Sequence, residues 1–211
     1  MVHLQMLKNV STDVQMEINH IQRGIQFWKK KQIELESLDR TQSAFHFLSQ
    51  GRIEDSLLIP ISEDLVKLAG SYGFDPLLIL ALVSVESQGK PEAIGRYRSG
   101  AESGAVGLMQ IKWTTAQEIA QKSNIKLIQK SDLLDPRINL VLGTNYLMYL
   151  VKKTQSLHHG IIAYNIGPGA LRAYLRKRKK IPKRYLNRTL SNYRSLEDKF
   201  GSDPHTDNKY L

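Results

Sequence analysis

The 211-residue chain contains no cysteine, which excludes disulfides, thiolate metal sites and a cysteine nucleophile. It has no run of eighteen apolar residues, and its longest apolar stretch, residues 77–85, has the length of a buried helix rather than of a membrane span. The N-terminus lacks the basic segment, apolar segment and small-residue cleavage site of a secretion signal, so no signal peptide is expected. The remaining composition, 41% hydrophobic and 24% charged, is that of an ordinary globular protein.

Acidic residues are in the minority, with 20 against 30 basic residues and a formal net charge of +10. Much of this excess lies in residues 171–188, which include nine Lys or Arg and no acid. A strongly basic protein prefers polyanionic partners such as nucleic acid, an anionic membrane or an acidic wall polymer. The run therefore predicts a cationic surface, and the alternative is a solvated face without a ligand.

Helical periodicity dominates the chain, and no alternating run predicts a strand. Apolar residues three, four or seven apart predict an amphipathic helix over residues 14–38, and a second helix is expected over 41–50, before Gly51. Residues 1–12 show no clear periodicity. We expect this N-terminal region to pack on the main domain as an extra helical layer, with partner binding as the alternative.

Two further helix starts follow, one at Ser62 and one at Asp75–Pro76, where the Asp caps the helix and the Pro suits its first turn. Residues 88–107 contain five glycines and a proline, which indicates irregular structure. A second Asp-Pro pair at Asp135 opens another long helix. The fold is therefore expected to be all-α or mainly α.

Glu86 lies at the end of the helix that begins at Asp75. Because that helix is apolar nearly all round, it is expected to be buried. Burial raises the pKa of a carboxyl group, and a general acid that works near neutral pH needs such a pKa. The alternative interpretation is that Glu86 marks the point where the helix reaches the surface.

Three short motifs occur in order along the chain: Glu86–Ser87, then the tetrapeptide GLMQ that ends at Gln110, then AYN at residues 163–165 followed by a GPG turn. In this order they resemble the catalytic domain of the Slt-type lytic transglycosylases, which shares its fold with goose-type lysozyme. The resemblance also takes in DPRINLVLGTNYLMYL from Asp135 and the final-helix Tyr185. It implies a lysozyme-like helical domain over residues 61–200. Outside the resemblance, the apolar periodicity predicts an N-terminal helical extension over 1–60, and the polar composition predicts a flexible tail over 201–211.

The resemblance implies cleavage of the β-1,4 bond between N-acetylmuramic acid and N-acetylglucosamine in peptidoglycan. Glu86 would act as acid and then as base, giving a 1,6-anhydro sugar, and Tyr185 would support it. The substrate-binding residues implied are Ser87, Met109, Gln110, Tyr164 and Asn165. Neither a metal nor another cofactor is implied. The partners are peptidoglycan glycan strands, the location is extracytoplasmic because of that substrate, and a monomer is expected.

The segment between Ser87 and GLMQ is longer than the family pattern, and it carries Glu92, Tyr97 and Glu102 as candidate specificity residues. A negative charge there would favour deacetylated glycan or orient a water, and the alternative is a solvated loop. A lysozyme that hydrolyses the same bond therefore stays open as an alternative function. A basic helical nucleic-acid-binding protein is the more distant alternative, because it leaves Glu86, GLMQ and AYN unexplained. No nucleic-acid partner is expected.

Overall fold

The computed structural model describes the backbone of residues 2–201 and the side chains of residues 14–201. The predicted flexible tail from residue 202 onwards lies outside the described residues. Within the described range the chain forms eight α-helices, one 3₁₀ helix and three short strands, so the mainly α fold class is confirmed. In chain order these elements are α1 (Val2–Ser49), α2 (Asp55–Ser71), α3 (Pro76–Glu86), β1 (Ile94–Arg96), β2 (Glu102–Val106), β3 (Ile111–Lys112), α4 (Trp113–Lys122), the 3₁₀ helix (Lys130–Leu134), α5 (Pro136–Thr154), α6 (Leu157–Ile166), α7 (Pro168–Arg176) and α8 (Arg184–Phe200).

Helix α1 is continuous from Val2 to Ser49, which corrects the prediction of two helices with an aperiodic segment before them. The short polar link at residues 39–40 contains neither Gly nor Pro, so nothing in it breaks the helix. The helix ends where Gln50 and Gly51 both adopt positive φ. The chain divides into two compact units, Met1–Ser37 and Leu38–Leu211, and the boundary falls within α1.

Helix α2 begins at Asp55 rather than at the predicted Ser62, and it passes through Pro60. Apolar side chains on both sides of Pro60, including Leu58 and Ile61, are buried in the core of the second unit. This burial stabilises a helix that propensity alone would start later, because packing of the apolar face contributes most helical stability. Ser62 is a buried residue of the helix and not its cap.

Helix α3 is the centre of the core. The Asp75 side chain accepts a hydrogen bond from the backbone N–H of Leu77 at 2.9 Å, as predicted for a helix cap. The same carboxylate pairs with both terminal nitrogens of Arg40, at 3.1 and 3.0 Å. Every residue from Pro76 to Val83 is buried. The predicted burial of this helix is therefore confirmed, and its last turn carries Glu86 to the edge of the core.

A three-stranded antiparallel sheet, in the order β1-β2-β3, replaces the irregular structure predicted for residues 88–107. Ile94 pairs with Val106, Arg96 pairs with Glu102, and Ala105 pairs with Lys112, with an irregularity between the first two pairs. The strands are only two to five residues long. Such short strands cannot show an alternating pattern, which explains why the sequence did not predict them.

Candidate active site

Glu86 is the last residue of α3, and its side chain is partly buried at the edge of the core. Burial raises the pKa of its carboxyl group from 4.5 to about 7, because an ionised carboxylate loses hydration there. A hydrogen bond from Tyr185 and the positive charge of Arg188 oppose this effect and lower the pKa. Desolvation is the larger effect, so a substantial fraction of Glu86 is protonated at neutral pH.

Tyr185 lies in the first turn of α8, which packs along α3. Its hydroxyl donates a hydrogen bond to Oε1 of Glu86 at 2.5 Å. The pKa of Tyr185 is raised well above its usual value by burial first and by the Glu86 charge second, so the hydroxyl keeps its proton. The hydrogen bond fixes Oε1 and leaves Oε2 as the oxygen that can carry the acidic proton. Arg188 follows one helical turn later and is exposed.

The tetrapeptide GLMQ forms the turn between β2 and β3, and α5 holds it through Asn139. The backbone N–H of Met109 donates to Oδ1 of Asn139 at 2.7 Å. The amide nitrogen of Asn139 donates in turn to the carbonyl oxygens of Val106 and Leu133, both at 2.8 Å. Gly107 is required here, because a Cβ would stand 2.2 Å from the Asn139 amide nitrogen and because its φ is +78°.

Tyr164 links the AYN motif to GLMQ. Its hydroxyl donates to the backbone carbonyl of Met109 at 2.8 Å, and its ring lies 5.3 Å from that of Tyr146, centroid to centroid. Burial and then the Glu86 charge raise the pKa of Tyr164 well above its usual value. Met109 itself is fully buried, so its side chain supports the site from below. Asn165, the next residue of the motif, is exposed.

Ser87 and Gln110 both make their hydrogen bonds within the protein. The hydroxyl of Ser87 is buried and donates to the carbonyl of Val83 at 3.1 Å, which caps the end of α3. The amide nitrogen of Gln110 donates to the carbonyls of Ala93 and Gly107, both at 2.9 Å. This leaves the amide oxygen of Gln110 available as an acceptor, while the nitrogen ties the start of the hairpin to GLMQ.

The candidate specificity residues lie on the β1–β2 hairpin and the segment before it. Glu92 and Tyr97 are exposed, and Glu102 faces Arg96 at 3.9 Å in an exposed ion pair. Among the described contacts, no hydrogen bond or ion pair joins these residues to Glu86. The structure thus brings together Glu86 with Tyr185 and Met109 with Tyr164, and leaves the hairpin residues on the surface.

Asn139 and Arg188 are contributors that the sequence reasoning did not assign. Asn139 lies within the DPRIN segment, in the first turns of α5, and is buried. A polar residue in the first turns of a mainly apolar helix is the sequence signal that could have identified it, because a buried amide must find hydrogen-bond partners. The effect of Arg188 on Glu86 depends on α8 packing on α3 and has no local signal. In the part of the chain that the structure describes, no group of three His, Cys, Asp or Glu could hold a metal ion.

The chain is similar to several known proteins. The model of the transglycosylase SLT domain matches residues 65–187. Membrane-bound lytic murein transglycosylase E of Buchnera aphidicola is 33% identical over 144 residues, which cover 64% of this chain and 62% of that protein. Endo-type membrane-bound lytic murein transglycosylase A of Salmonella paratyphi B is 32% identical over 133 residues, covering 58% of this chain and 61% of that protein.

An inactive variant of lytic transglycosylase Slt from Pseudomonas aeruginosa superposes with a TM-score of 0.55 at 26% identity, over 78% of this chain and 29% of that one. The helical domain is thus of the lysozyme-like class that such enzymes share. Because the SLT model matches more than half of the residues, the chain belongs to the transglycosylase SLT domain family. It spans about three fifths of the length of the two curated relatives, at 62% and 61%.

Among the described residues no single helix is both long and apolar enough to cross a membrane. The pair formed by α2 and α3 meets the same criterion of length and composition when its two helices are taken together, although they meet at 116°.

Proposed function

We propose that this chain is a lytic transglycosylase that cleaves the β-1,4 bond between N-acetylmuramic acid and N-acetylglucosamine in peptidoglycan. The observation that carries the proposal is the Glu86 carboxyl, whose pKa is raised to about 7 by burial at the end of α3. Family membership supports the same activity, since the relatives are named lytic murein transglycosylases.

In the first step Oε2 of Glu86 donates its proton to the glycosidic oxygen, and the bond to the anomeric carbon breaks. General acid catalysis of this kind contributes about 10²–10⁴-fold to the rate. Positive charge that develops at the anomeric carbon is met by the acetamido group of the sugar, as in substrate-assisted glycosidases. A mechanism with a single catalytic carboxyl is supported by the charge near Glu86, which comes from Arg188, a cation, and not from a second carboxylate.

In the second step the ionised Glu86 accepts the proton of the muramic acid 6-hydroxyl, whose oxygen attacks the anomeric carbon. The product is a 1,6-anhydro ring, and Glu86 regains the proton that it donated. Tyr185 holds Oε1 in both steps, and Arg188 stabilises the ionised form between them. Asn165, exposed at the end of α6, is suited to the acetamido group, because an amide both donates and accepts.

The cationic run supports an anionic substrate. All nine Lys and Arg of residues 171–188 are exposed, and α8, which carries the last two, also carries Tyr185. Peptidoglycan has carboxylates on muramic acid and on its peptide stems, so a cationic surface beside Glu86 attracts it over several ångströms. Action outside the cytoplasm follows from this substrate and is part of the proposal.

The test is mass spectrometry of the muropeptides that the wild-type chain and the Glu86→Gln variant release from purified peptidoglycan. Wild type is expected to give anhydro ends, and Glu86→Gln is expected to release at least about 100-fold less. Glu102→Gln, an exposed carboxyl replaced in the same way, is the matched control and is expected to behave as wild type. Hydrated ends, which are one water heavier than anhydro ends, would instead show that the chain hydrolyses the bond as a lysozyme does. Equal release by wild type and Glu86→Gln would refute the catalytic role of Glu86.

A further inference from the structure

A row of apolar side chains on α1 is exposed to solvent. Nine large apolar residues between residues 14 and 35 are exposed, with between 41% and 69% of their surface accessible, and six of them fall in one row, whereas Met16, Phe27 and Ile33 lie off it. Scattered exposed apolar residues are normal, but a continuous row on one helix marks an interaction surface. We call this row the heptad stripe; its members are Val14, Ile18, Ile21, Ile25, Trp28 and Leu35.

The spacing of the heptad stripe is that of a coiled coil. Successive members are alternately four and three residues apart as far as Trp28. The next position in this spacing is occupied by the polar residue Gln32, and Leu35 follows three residues later. With Ile18 at position a of the heptad, Ile25 and Gln32 also occupy a, while Ile21, Trp28 and Leu35 occupy d. A repeat of seven residues keeps the same face of two supercoiled helices in contact, whereas an ordinary surface helix drifts away from it. The stripe covers about 32 Å of helix.

The polar residue Gln32 favours a second copy of α1, in parallel orientation, as the partner of the stripe. In a parallel, in-register pair, position a faces position a, so the two Gln32 amides meet and bond to each other. In an antiparallel pair, position a faces position d, and Gln32 would be buried against an apolar side chain at a cost of an unmade hydrogen bond. A single polar residue at position a is a known device for specifying register.

Charges beside the stripe fit the same arrangement. Lys31 is at position g and Glu36 at the following position e, the two positions that approach each other across a parallel pair. Within one helix Lys31 contacts Glu34 at 3.1 Å, and Gln32 donates to Glu36 at 2.9 Å. These contacts are exposed and worth little, so they can be exchanged for contacts with a partner helix.

We infer that the heptad stripe of α1 pairs with the same stripe of a second copy to form a parallel two-stranded coiled coil. The sequence led us to expect a monomer, but that expectation did not weigh the seven-residue repeat. The inference does not depend on the proposed function, because it concerns residues outside the candidate active site.

The absence of cysteine allows a direct test by disulfide trapping in the full chain. Ile18→Cys and Leu35→Cys lie at opposite ends of the stripe, and each is expected to form a covalent dimer on mild oxidation. Arg23→Cys and Lys30→Cys are the matched controls, because they lie at position f, on the outer side of the pair. They are expected to remain largely monomeric.

Solution mass provides the second measurement. Wild type is expected to run at twice the mass of one chain by light scattering, and the double variant Ile21→Lys/Ile25→Lys at the mass of one chain with unchanged helical circular dichroism. Trapping that is equal at positions a, d and f, or a wild type that stays monomeric at the highest concentrations of a dilution series, would overturn the inference. The parallel orientation would be overturned if an Ile18→Cys chain formed a disulfide with a Trp28→Cys chain while neither variant formed one with itself, because position a faces position d only in an antiparallel pair.

Discussion

Glu86 and Glu102 carry the same chemical group, and Glu86 lies just before, and Glu102 within, the segment that most distinguishes this chain from the family pattern. Glu86 ends a helix that is buried from Pro76 to Val83, and its pKa is raised to about 7. Glu102 begins β2 on an exposed hairpin, where it faces Arg96 at 3.9 Å. The comparison shows that burial, rather than residue type, sets Glu86 apart and raises the pKa of its carboxyl group.

The GLMQ turn accepts a hydrogen bond from Tyr164, a residue on which the Glu86 charge acts, and we expect disturbing that turn to have the largest effect. Asn139→Ala removes three buried hydrogen bonds, to backbone groups of Met109, Val106 and Leu133. We expect a loss of about 2–5 kcal/mol in the free energy of unfolding. Urea denaturation measures this. Asn187→Ala, an exposed Asn in α8, is the control, and a loss equal to that of the control would contradict the clamping role.

A pH-dependent gain of stability is expected when the buried carboxyl is replaced. In the unfolded chain Glu86 ionises near 4.5 and in the folded chain near 7, so folded wild type loses stability as pH rises between these values. Glu86→Gln has no such loss. Its stability relative to wild type is therefore expected to increase from about pH 4 to about pH 8, by at most about 3 kcal/mol.

Denaturation at a series of pH values tests this prediction. Glu102→Gln, an exposed carboxyl replaced in the same way, is the control against which the trend is compared. A Glu86→Gln variant that tracks wild type at every pH would mean that Glu86 ionises in the folded chain as it does in water.

Removing the tyrosine hydroxyl is expected to sharpen the contrast between the two carboxyls. The hydrogen bond from Tyr185 lowers the pKa of Glu86, so Tyr185→Phe is expected to raise that pKa further. Since the general acid works in its protonated form, the alkaline limb of kcat/KM against pH is expected to move to higher pH. Tyr149→Phe, at an exposed tyrosine of α5, is the control. A shift of the limb to lower pH in Tyr185→Phe would reverse the assigned role.

The smallest effect is expected on the hairpin. Glu102→Gln and Glu92→Gln replace exposed carboxyls that make no described contact with Glu86, so turnover of acetylated and deacetylated glycan is expected to change by less than about 2-fold, within the range of a screened surface charge. A changed preference between the two glycans would instead show that the hairpin charges reach a sugar subsite.

Much of the site could be predicted because its strongest signals are local. The Asp75–Pro76 start and the apolar run behind Glu86 specify a buried helix with an acid at its end, whatever the rest of the chain does. The order of the three motifs then indicated the family. The link between Tyr185 and Glu86 was expected from the resemblance alone, since residues 99 positions apart come together only through packing.

Other features depend on contacts that no local pattern records. Asn139 acts by reaching across to a turn 30 residues earlier, and β1–β3 are too short to show an alternating pattern. Helix α1 was divided in two because its apolar periodicity fades at residues 39–40, although a helix needs no apolar residue there to continue. Its seven-residue repeat was present in the sequence and was interpreted as an ordinary amphipathic face.

The central claim is that burial keeps the Glu86 carboxyl protonated near neutral pH, and direct titration tests it. Carbon-13 NMR of protein labelled at glutamate side-chain carboxyls follows each group with pH, and the resonance missing from Glu86→Gln identifies the one of interest. The account predicts that this resonance titrates near 7. A Glu86 resonance that titrates near 4.5 would contradict the account.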